Sequence, residues 1–240
     1  MVDCPPSAST VLITNGTSQA NSLFLPVLAL CMCSLPARAE TVLFSDLGPA
    51  GNVYSTSLGL GVVGSGNGQF PTSQTIADLF SVSGSGSYDV SQIDLALVHL
   101  SGANTFYAAI WTDSGGLPGT QVVGAEWNLS TSIGAGTCCG LVSISRIAGV
   151  SLTGGQQYFM ILGPLGLSDN SLNELSGNSQ GLTGVSLFSS NGGDTWGKTD
   201  IQTLGAFDVL GTAATPEPGT LVMLGSGLLA LGLLRKRLHR

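Results

Sequence analysis

Side chains able to do acid–base, nucleophilic or metal chemistry are few in this sequence. Histidine occurs only at His99 and His239. His239 belongs to the last residues, so a Ser-His-Asp or Cys-His relay would rest on His99 alone. His99 keeps phase with Ile93, Leu95 and Leu97, which predicts a residue near the end of a strand rather than a base. A glycosidase needs only two carboxylates about 5–9 Å apart. Asp94, Asp113, Glu126, Asp169 and Glu174 are all eligible, but nothing in the sequence orders a pair among them. The acidic turns at Asp113 and Asp169-Asn170 offer oxygen ligands of the kind Ca²⁺ takes, without an EF-hand or a repeated Asp loop. The adjacent Cys138 and Cys139 admit a vicinal disulfide, an intermolecular bond or two inert thiols. With no histidine nearby, they do not supply the four tetrahedral ligands of a zinc site. No G-x-S-x-G elbow, H-E-x-x-H or P-loop is present. The expectation is a non-enzymatic chain with neither cofactor nor metal.

The stretch Ser189-Ser190-Asn191-Gly192-Gly193-Asp194-Thr195-Trp196 resembles the Asp-box pattern S-x-D-x-G-x-T-W, with Asn191 in the acid position. The resemblance implies a hairpin turn in which the residue 191 side chain binds turn backbone and Trp196 packs beneath. The box occurs once here, which favours a structural turn built on Ser189, Asn191, Gly193, Thr195 and Trp196 over a sugar-contacting loop. Trp111, Trp127 and Trp196, with Tyr107 and Tyr158, could form a carbohydrate-stacking platform, but in a β-sandwich such rings more often fill the core.

The elements that would carry these residues read as strands. Short apolar runs at Gln74–Val82, Val90–Leu100, Thr105–Thr112, Gln121–Asn128, Leu141–Ile147, Gln157–Leu162, Val185–Ser189 and Ala206–Leu210 are separated by Gly-, Ser- and Asn-rich turns. No helix-period segment of twelve residues lies between the two ends of the chain. The fold class expected is all-β, an antiparallel sandwich or jelly roll of about eight strands. The domain layout expected is a signal peptide over 1–39, a β-sandwich ectodomain over 40–213 and a sorting and anchor segment over 214–240.

Composition narrows the function classes. Of 240 residues, 9% are charged, against about 25% in an ordinary soluble domain, which excludes a coiled coil. A pI near 4.4 leaves no basic surface for nucleic acid. Glycine, 35 residues, shows no three-residue period, so collagen is excluded. A hydrophobic share of 43% argues against disorder. The charge is sharply partitioned. Of seven basic residues, Arg235, Lys236, Arg237 and Arg240 stand at the C-terminus, whereas Glu40 to Leu234 hold only Arg146 and Lys198 against thirteen acids.

Both ends read as membrane-directed. Leu23 to Leu35 is an apolar run suited to a signal h-region, followed by Pro36-Ala37-Arg38-Ala39, in which Ala37 and Ala39 fit an A-x-A cleavage site. The n-region is atypical: residues 1–22 contain no Lys or Arg, so either the signal is unusual or the native start lies elsewhere. At the other end, Thr215-Pro216-Glu217-Pro218-Gly219-Thr220 precedes the apolar run Leu221 to Leu234 and then the basic stop. Fourteen residues of helix rise about 21 Å, so the run would cross a ~30 Å hydrocarbon core only with thinning and snorkelling of the terminal Arg and Lys. The positive cluster would hold the C-terminus in the cytoplasm.

Pro216-Glu217-Pro218, a short glycine-bearing apolar helix and a basic tail together resemble the PEP-CTERM sorting signal. The resemblance implies that an exosortase, a membrane-embedded cysteine transpeptidase, recognises and removes the tail, with Pro216, Glu217 and Pro218 as residues acted upon. A plain tail anchor would not require Pro-Glu-Pro. Ordered stretches at Tyr88–Ile93, Trp111–Thr120, Val150–Phe159 and Leu204–Gly211 resemble the choice-of-anchor R type, which implies an extracellular domain without enzymatic activity. The partners expected are therefore exosortase, the inner membrane through residues 221–234, and exopolysaccharide, with a carbohydrate-binding module or a secreted glycoside hydrolase as rival readings. The location expected is export, transient inner-membrane anchoring, then the outer surface or the exterior.

Overall fold

The computed structural model describes residues 39–48, 54–198 and 202–214. In chain order the strands are β1 Glu40–Ser45, β2 Tyr54–Val63, β3 Thr75–Ser81, β4 Ser87–Ser101, β5 Thr105–Asp113, β6 Pro118–Ser130, β7 Thr137–Ser145 and β8 Ser151–Thr153. They continue as β9 Gln157–Gly163, β10 Leu172–Asn178, β11 Thr183–Gly184, β12 Ser186–Ser189, β13 Gly197–Lys198, β14 Gln202–Thr203 and β15 Phe207–Ala213. The helical content among the described residues is a single 3₁₀ turn, Ser65–Asn67.

Two sheets dominate, and every pairing is antiparallel. One is six-stranded in the order β13-β12-β3-β9-β5-β6. The other is organised on β4, which is long enough to serve several partners. Along one of its edges, residues 88–95 pair with β15 and residues 97–101 with β10. Along the other, β8 meets residues 87–89 and β7 meets residues 92–99. β1 and β2 then complete the sheet beyond β15 and β10.

The side chains between the sheets come from alternate positions of both. Ile76 and Phe80 of β3, Phe106, Ala108 and Ile110 of β5, and Tyr158, Met160 and Leu162 of β9 pack with Ile93, Leu95 and Leu97 of β4 and with Phe207 and Val209 of β15. At one end Phe44, Phe80 and Phe207 form a triangle with centroid separations of 4.8–5.6 Å, in the range favourable for tilted and edge-on aromatic pairs. The chain is thus an antiparallel β-sandwich.

The intervening positions of the six-stranded sheet are apolar too. Ala77, Ala109, Phe159, Ile161 and Leu187 form a second buried cluster, with Tyr107, Trp111 and Trp196 packed on it. This sheet therefore has an outer face that is partly covered, which explains why β5 and β9 read as continuous apolar runs rather than alternating ones.

The eight strands expected from the sequence correspond to β3, β4, β5, β6, β7, β9, β12 and β15, and seven further strands join them. β10 was unreadable because its burial is polar: Asn173, Ser176 and Asn178 are all buried in a strand flanked on both sides. Their burial is tolerable where hydrogen bonds replace water. Asn178 shows how: its Nδ2 donates to the carbonyls of Leu182 and Leu204 at 2.8 and 2.9 Å. β7 starts four residues before the expected Leu141 and stops at Ser145, because Arg146 takes a left-handed φ of 60°.

Candidate functional site

The Asp-box-like segment forms a tight turn on the outer face of the six-stranded sheet. Asn191 Oδ1 accepts from Ser189 Oγ at 2.8 Å and from the Thr195 N–H at 3.0 Å, and Asn191 Nδ2 donates to Thr195 Oγ1 at 2.9 Å. Ser189 Oγ accepts from the Gly193 N–H at 2.8 Å. Gly193 has φ 102°, and a Cβ there would lie 3.3 Å from the Trp196 ring and 3.7 Å from that of Trp111. The turn thus lies directly against two indoles, both half-buried, whose Nε1 atoms are buried and without an acceptor among the described residues.

Beside this turn lies a cleft of about 470 Å³. Tyr107 and Trp111 of β5 contribute half-buried rings to it. Glu126 and Asn128 of β6, both exposed, contribute polar groups. Strand register accounts for the grouping: Tyr107 pairs with Asn128, and the next outward position, Ala109, pairs with Glu126. Leu165 and Leu167, 46% and 44% exposed, supply an apolar wall, and Asn191 and Gly192 line the cleft beside them. Tyr107 is seated by the absence of a side chain at Gly163, where a Cβ would lie 2.4 Å from its ring. Burial pushes the Tyr107 hydroxyl above its ordinary pKa of 10.0, opposed by a hydrogen bond with Thr75 and helped slightly by the negative charge of Glu126, so at neutral pH it keeps its proton.

The aromatic residues considered together in the sequence do not form one platform. Trp111, Trp196 and Tyr107 share the outer face, whereas Trp127 and Tyr158 belong to the cluster between the sheets. Tyr158 Oη accepts from the Thr153 N–H at 3.0 Å. None of the three tryptophans is fully buried.

His99 is a buried strand residue whose Nδ1 lies 2.9 Å from Asn173 Oδ1, and Asn173 Nδ2 donates in turn to the Thr105 carbonyl. Two acids considered for Ca²⁺ hold their own turns. Asp113 Oδ1 accepts from the Gly116 N–H, while Asp169 accepts from the Gly166 N–H and from both the N–H and the hydroxyl of Ser171. Asp94 of β4 accepts from Gln92 and Ser143. Among the described residues, no three His, Cys, Asp or Glu side chains gather as metal ligands. Cys138 and Cys139, at the start of β7, are joined by a disulfide, and the Tyr54 hydroxyl donates to the Cys139 carbonyl.

Sequence reasoning missed a group of buried carboxyls. Asp46 Oδ1 accepts from the Phe207 N–H at 2.6 Å, and the Asp46 N–H donates to the Phe207 carbonyl, tying the segment after β1 to the start of β15. Asp78 Oδ2 accepts from the Gly205 N–H at 2.7 Å. Burial pushes Asp46 from 3.8 up to about 8, helped by the negative charges of Asp78 and Asp208 and opposed by the Phe207 bond. Burial likewise pushes Asp78 up to about 6, and raises Asp208. These groups lie within core packing and each binds backbone or a neighbouring hydroxyl, so they read as structural. Only their spacing after folding brings them together, which no sequence pattern signals.

Ala39 is exposed immediately before β1. Ala37, Pro216, Glu217, Pro218, the apolar run 221–234 and the basic stop Arg235, Lys236, Arg237 and Arg240 lie outside the described residues. Among those described, no helix is long and apolar enough to cross a membrane.

No curated protein matches the chain. Among solved structures, the cysteine protease and lectin-like domains of Cwp84, a surface layer associated protein of Clostridium difficile, resemble it with a TM-score of 0.40 and 12% identity, over 60% of this chain and 33% of that one. The clostridial cysteine protease Cwp84 after propeptide cleavage gives a TM-score of 0.40 and 11% identity, over 59% and 36%. The chain therefore spans about a third of the length of these proteins. Residues 214–237, with the Pro-Glu-Pro, the apolar run and the basic cluster in order, match the PEP-CTERM protein-sorting motif, and the chain thus carries a signal that implies exosortase processing and export through transient membrane anchoring.

Proposed function

We propose that this is an exported, non-enzymatic surface protein that is released or transferred by exosortase and acts in the exopolysaccharide matrix outside the cell. The sorting match over residues 214–237 carries this reading. Its order supplies a substrate peptide, a membrane stop and a cytoplasmic positive charge, which is the topology a transpeptidase in the membrane needs. The burial of His99 and its engagement with Asn173 support a non-catalytic ectodomain. The ordered strand–turn–strand stretches between Tyr88 and Gly211 support the choice-of-anchor type. Intact-mass analysis of the protein recovered from outside the cell tests the processing step. The expected species ends near Pro216–Pro218 and lacks Leu221–Arg240; recovery of exported protein with that tail intact would refute the reading.

The carbohydrate-binding module remains a second reading for the ectodomain, favoured by one observation: Trp111 and Tyr107 contribute half-buried rings to an open cleft rather than filling the core.

A further inference from the structure

The cleft on the outer face of the six-stranded sheet has the chemistry of a sugar site. Its volume, about 470 Å³, falls within the range of roughly 300–1,000 Å³ typical of ligand sites. Its lining is divided by type. The rings of Tyr107 and Trp111 offer apolar surface, Leu165 and Leu167 extend it, and the exposed Glu126 and Asn128 supply acceptors and an amide donor at the margin. A pyranose matches this division, since the C–H face of the ring is apolar and its equatorial hydroxyls form a polar rim. A wholly apolar ligand would leave the Glu126 carboxylate against hydrocarbon, which is costly.

Charge selects further. No Lys or Arg lines the cleft among the described residues, and Glu126 is acidic. The segment Glu40 to Leu234 holds thirteen acids against two bases. A uronate or sulfated sugar would meet repulsion with no basic partner. Glu126 is also the one carboxylate among the lining residues, whereas hydrolysis by the two-carboxylate route needs a second about 5–9.5 Å away. The arrangement therefore favours holding a glycan over cutting it.

We propose that the cleft bounded by Tyr107, Trp111, Glu126, Asn128 and Asn191 binds a neutral hexopyranose oligosaccharide, with the two rings against the sugar face and the Glu126 and Asn128 side chains on its hydroxyls. This deepens the reading of the protein as a component of an exopolysaccharide matrix and rests on it. Gly163 is what admits the ring of Tyr107, and the turn around Asn191 seats Trp111, so the site is held by the sheet rather than by a free loop.

The test uses the full chain in a sugar-free detergent, titrated calorimetrically with cellotetraose, mannotetraose and N-acetylchitotetraose, and with tetragalacturonic acid as the acidic counterpart. At least one neutral tetrasaccharide binds and the acidic one does not. The double variant Glu126→Ala/Asn128→Ala, at two exposed positions, weakens that binding by roughly tenfold or more, the loss expected when hydrogen bonds worth about 1.4 kcal/mol are removed, with an unchanged thermal midpoint. Trp111→Phe, which keeps an aromatic ring, binds better than Trp111→Leu. Three results overturn the proposal: no neutral sugar binds, the double variant binds like the parent, or tetragalacturonate binds equally well. Release of new reducing ends from the bound sugar overturns it too. The chain assayed retains its tail, so failure of exosortase processing leaves this outcome untouched, and failure of sugar binding leaves the sorting assay untouched.

Discussion

The buried carboxyl of Asp46 makes stability depend on pH in an unusual direction. A carboxyl whose folded pKa is raised holds its proton in the native state and loses it in the unfolded chain. Between 3.8 and about 8 the native state therefore binds more protons, and stability falls as pH rises through that window. Each pH unit inside the window costs about 1.4 kcal/mol per group. Moving from pH 5 to pH 7 then removes about 3 kcal/mol through Asp46 alone. Asp78, raised to about 6, adds to the loss only over the lower half of that interval. For a domain of this size, about 3 kcal/mol corresponds to a fall of roughly 6–12 °C in thermal midpoint.

Self-repulsion among the acids acts in the same direction, so the parent slope alone does not isolate the cause. Asp46→Asn does. Asparagine keeps an Oδ1 acceptor for the Phe207 N–H but has no proton to lose. Urea denaturation of parent and variant at pH 5, 6 and 7 should show the variant losing about 3 kcal/mol less than the parent across the interval. Equal slopes in the two proteins, or a parent whose stability rises from pH 5 to 7, would refute the reasoning.

Two substitutions probe how the sheet builds the cleft. Gly163→Ala places a methyl group 2.4 Å from the Tyr107 ring and 2.8 Å from Thr75 Oγ1; a loss of about 1–3 kcal/mol is expected from overpacking, read as a lower urea midpoint, together with weakened sugar binding. Asn191→Ala removes the three hydrogen bonds its amide makes to Ser189 and Thr195 and should cost about 1–2 kcal/mol, whereas Asn191→Asp keeps both acceptor contacts and should melt close to the parent.

The parts of the fold legible in the sequence were those where side-chain pattern and strand geometry coincide. β4 alternates along Ile93–Leu97, where Ile93, Leu95 and Leu97 meet the core, and β9 is apolar from Tyr158 to Leu162 because both of its faces are covered. β2 and β10 were illegible for opposite reasons. β2 is diluted by Gly59 and Gly61, whose missing side chains leave nothing to count. β10 buries Asn and Ser, whose partners, such as His99, come from distant sequence.

The cleft was hidden by a different ambiguity. In Thr105–Thr112 every residue from Phe106 to Trp111 is apolar, so the period of two marks two faces without saying which one meets the other sheet. Folding resolves it: Phe106, Ala108 and Ile110 turn inward, which sends Tyr107 and Trp111 to the outer face. The neighbouring β6 carried the missing information. Its residues Glu126 and Asn128 alternate with the buried Ala125 and the inward-packing Trp127, so the polar phase of that edge strand marks the open face. Antiparallel register then places Tyr107 opposite Asn128. An aromatic strand read together with the polar phase of its hairpin partner would have pointed to Tyr107, Glu126 and Asn128 as one group. The turn at Asn191 and the loop at Leu165–Leu167 would still have escaped notice, because Gly192 meets Leu167 only after the sheet has closed.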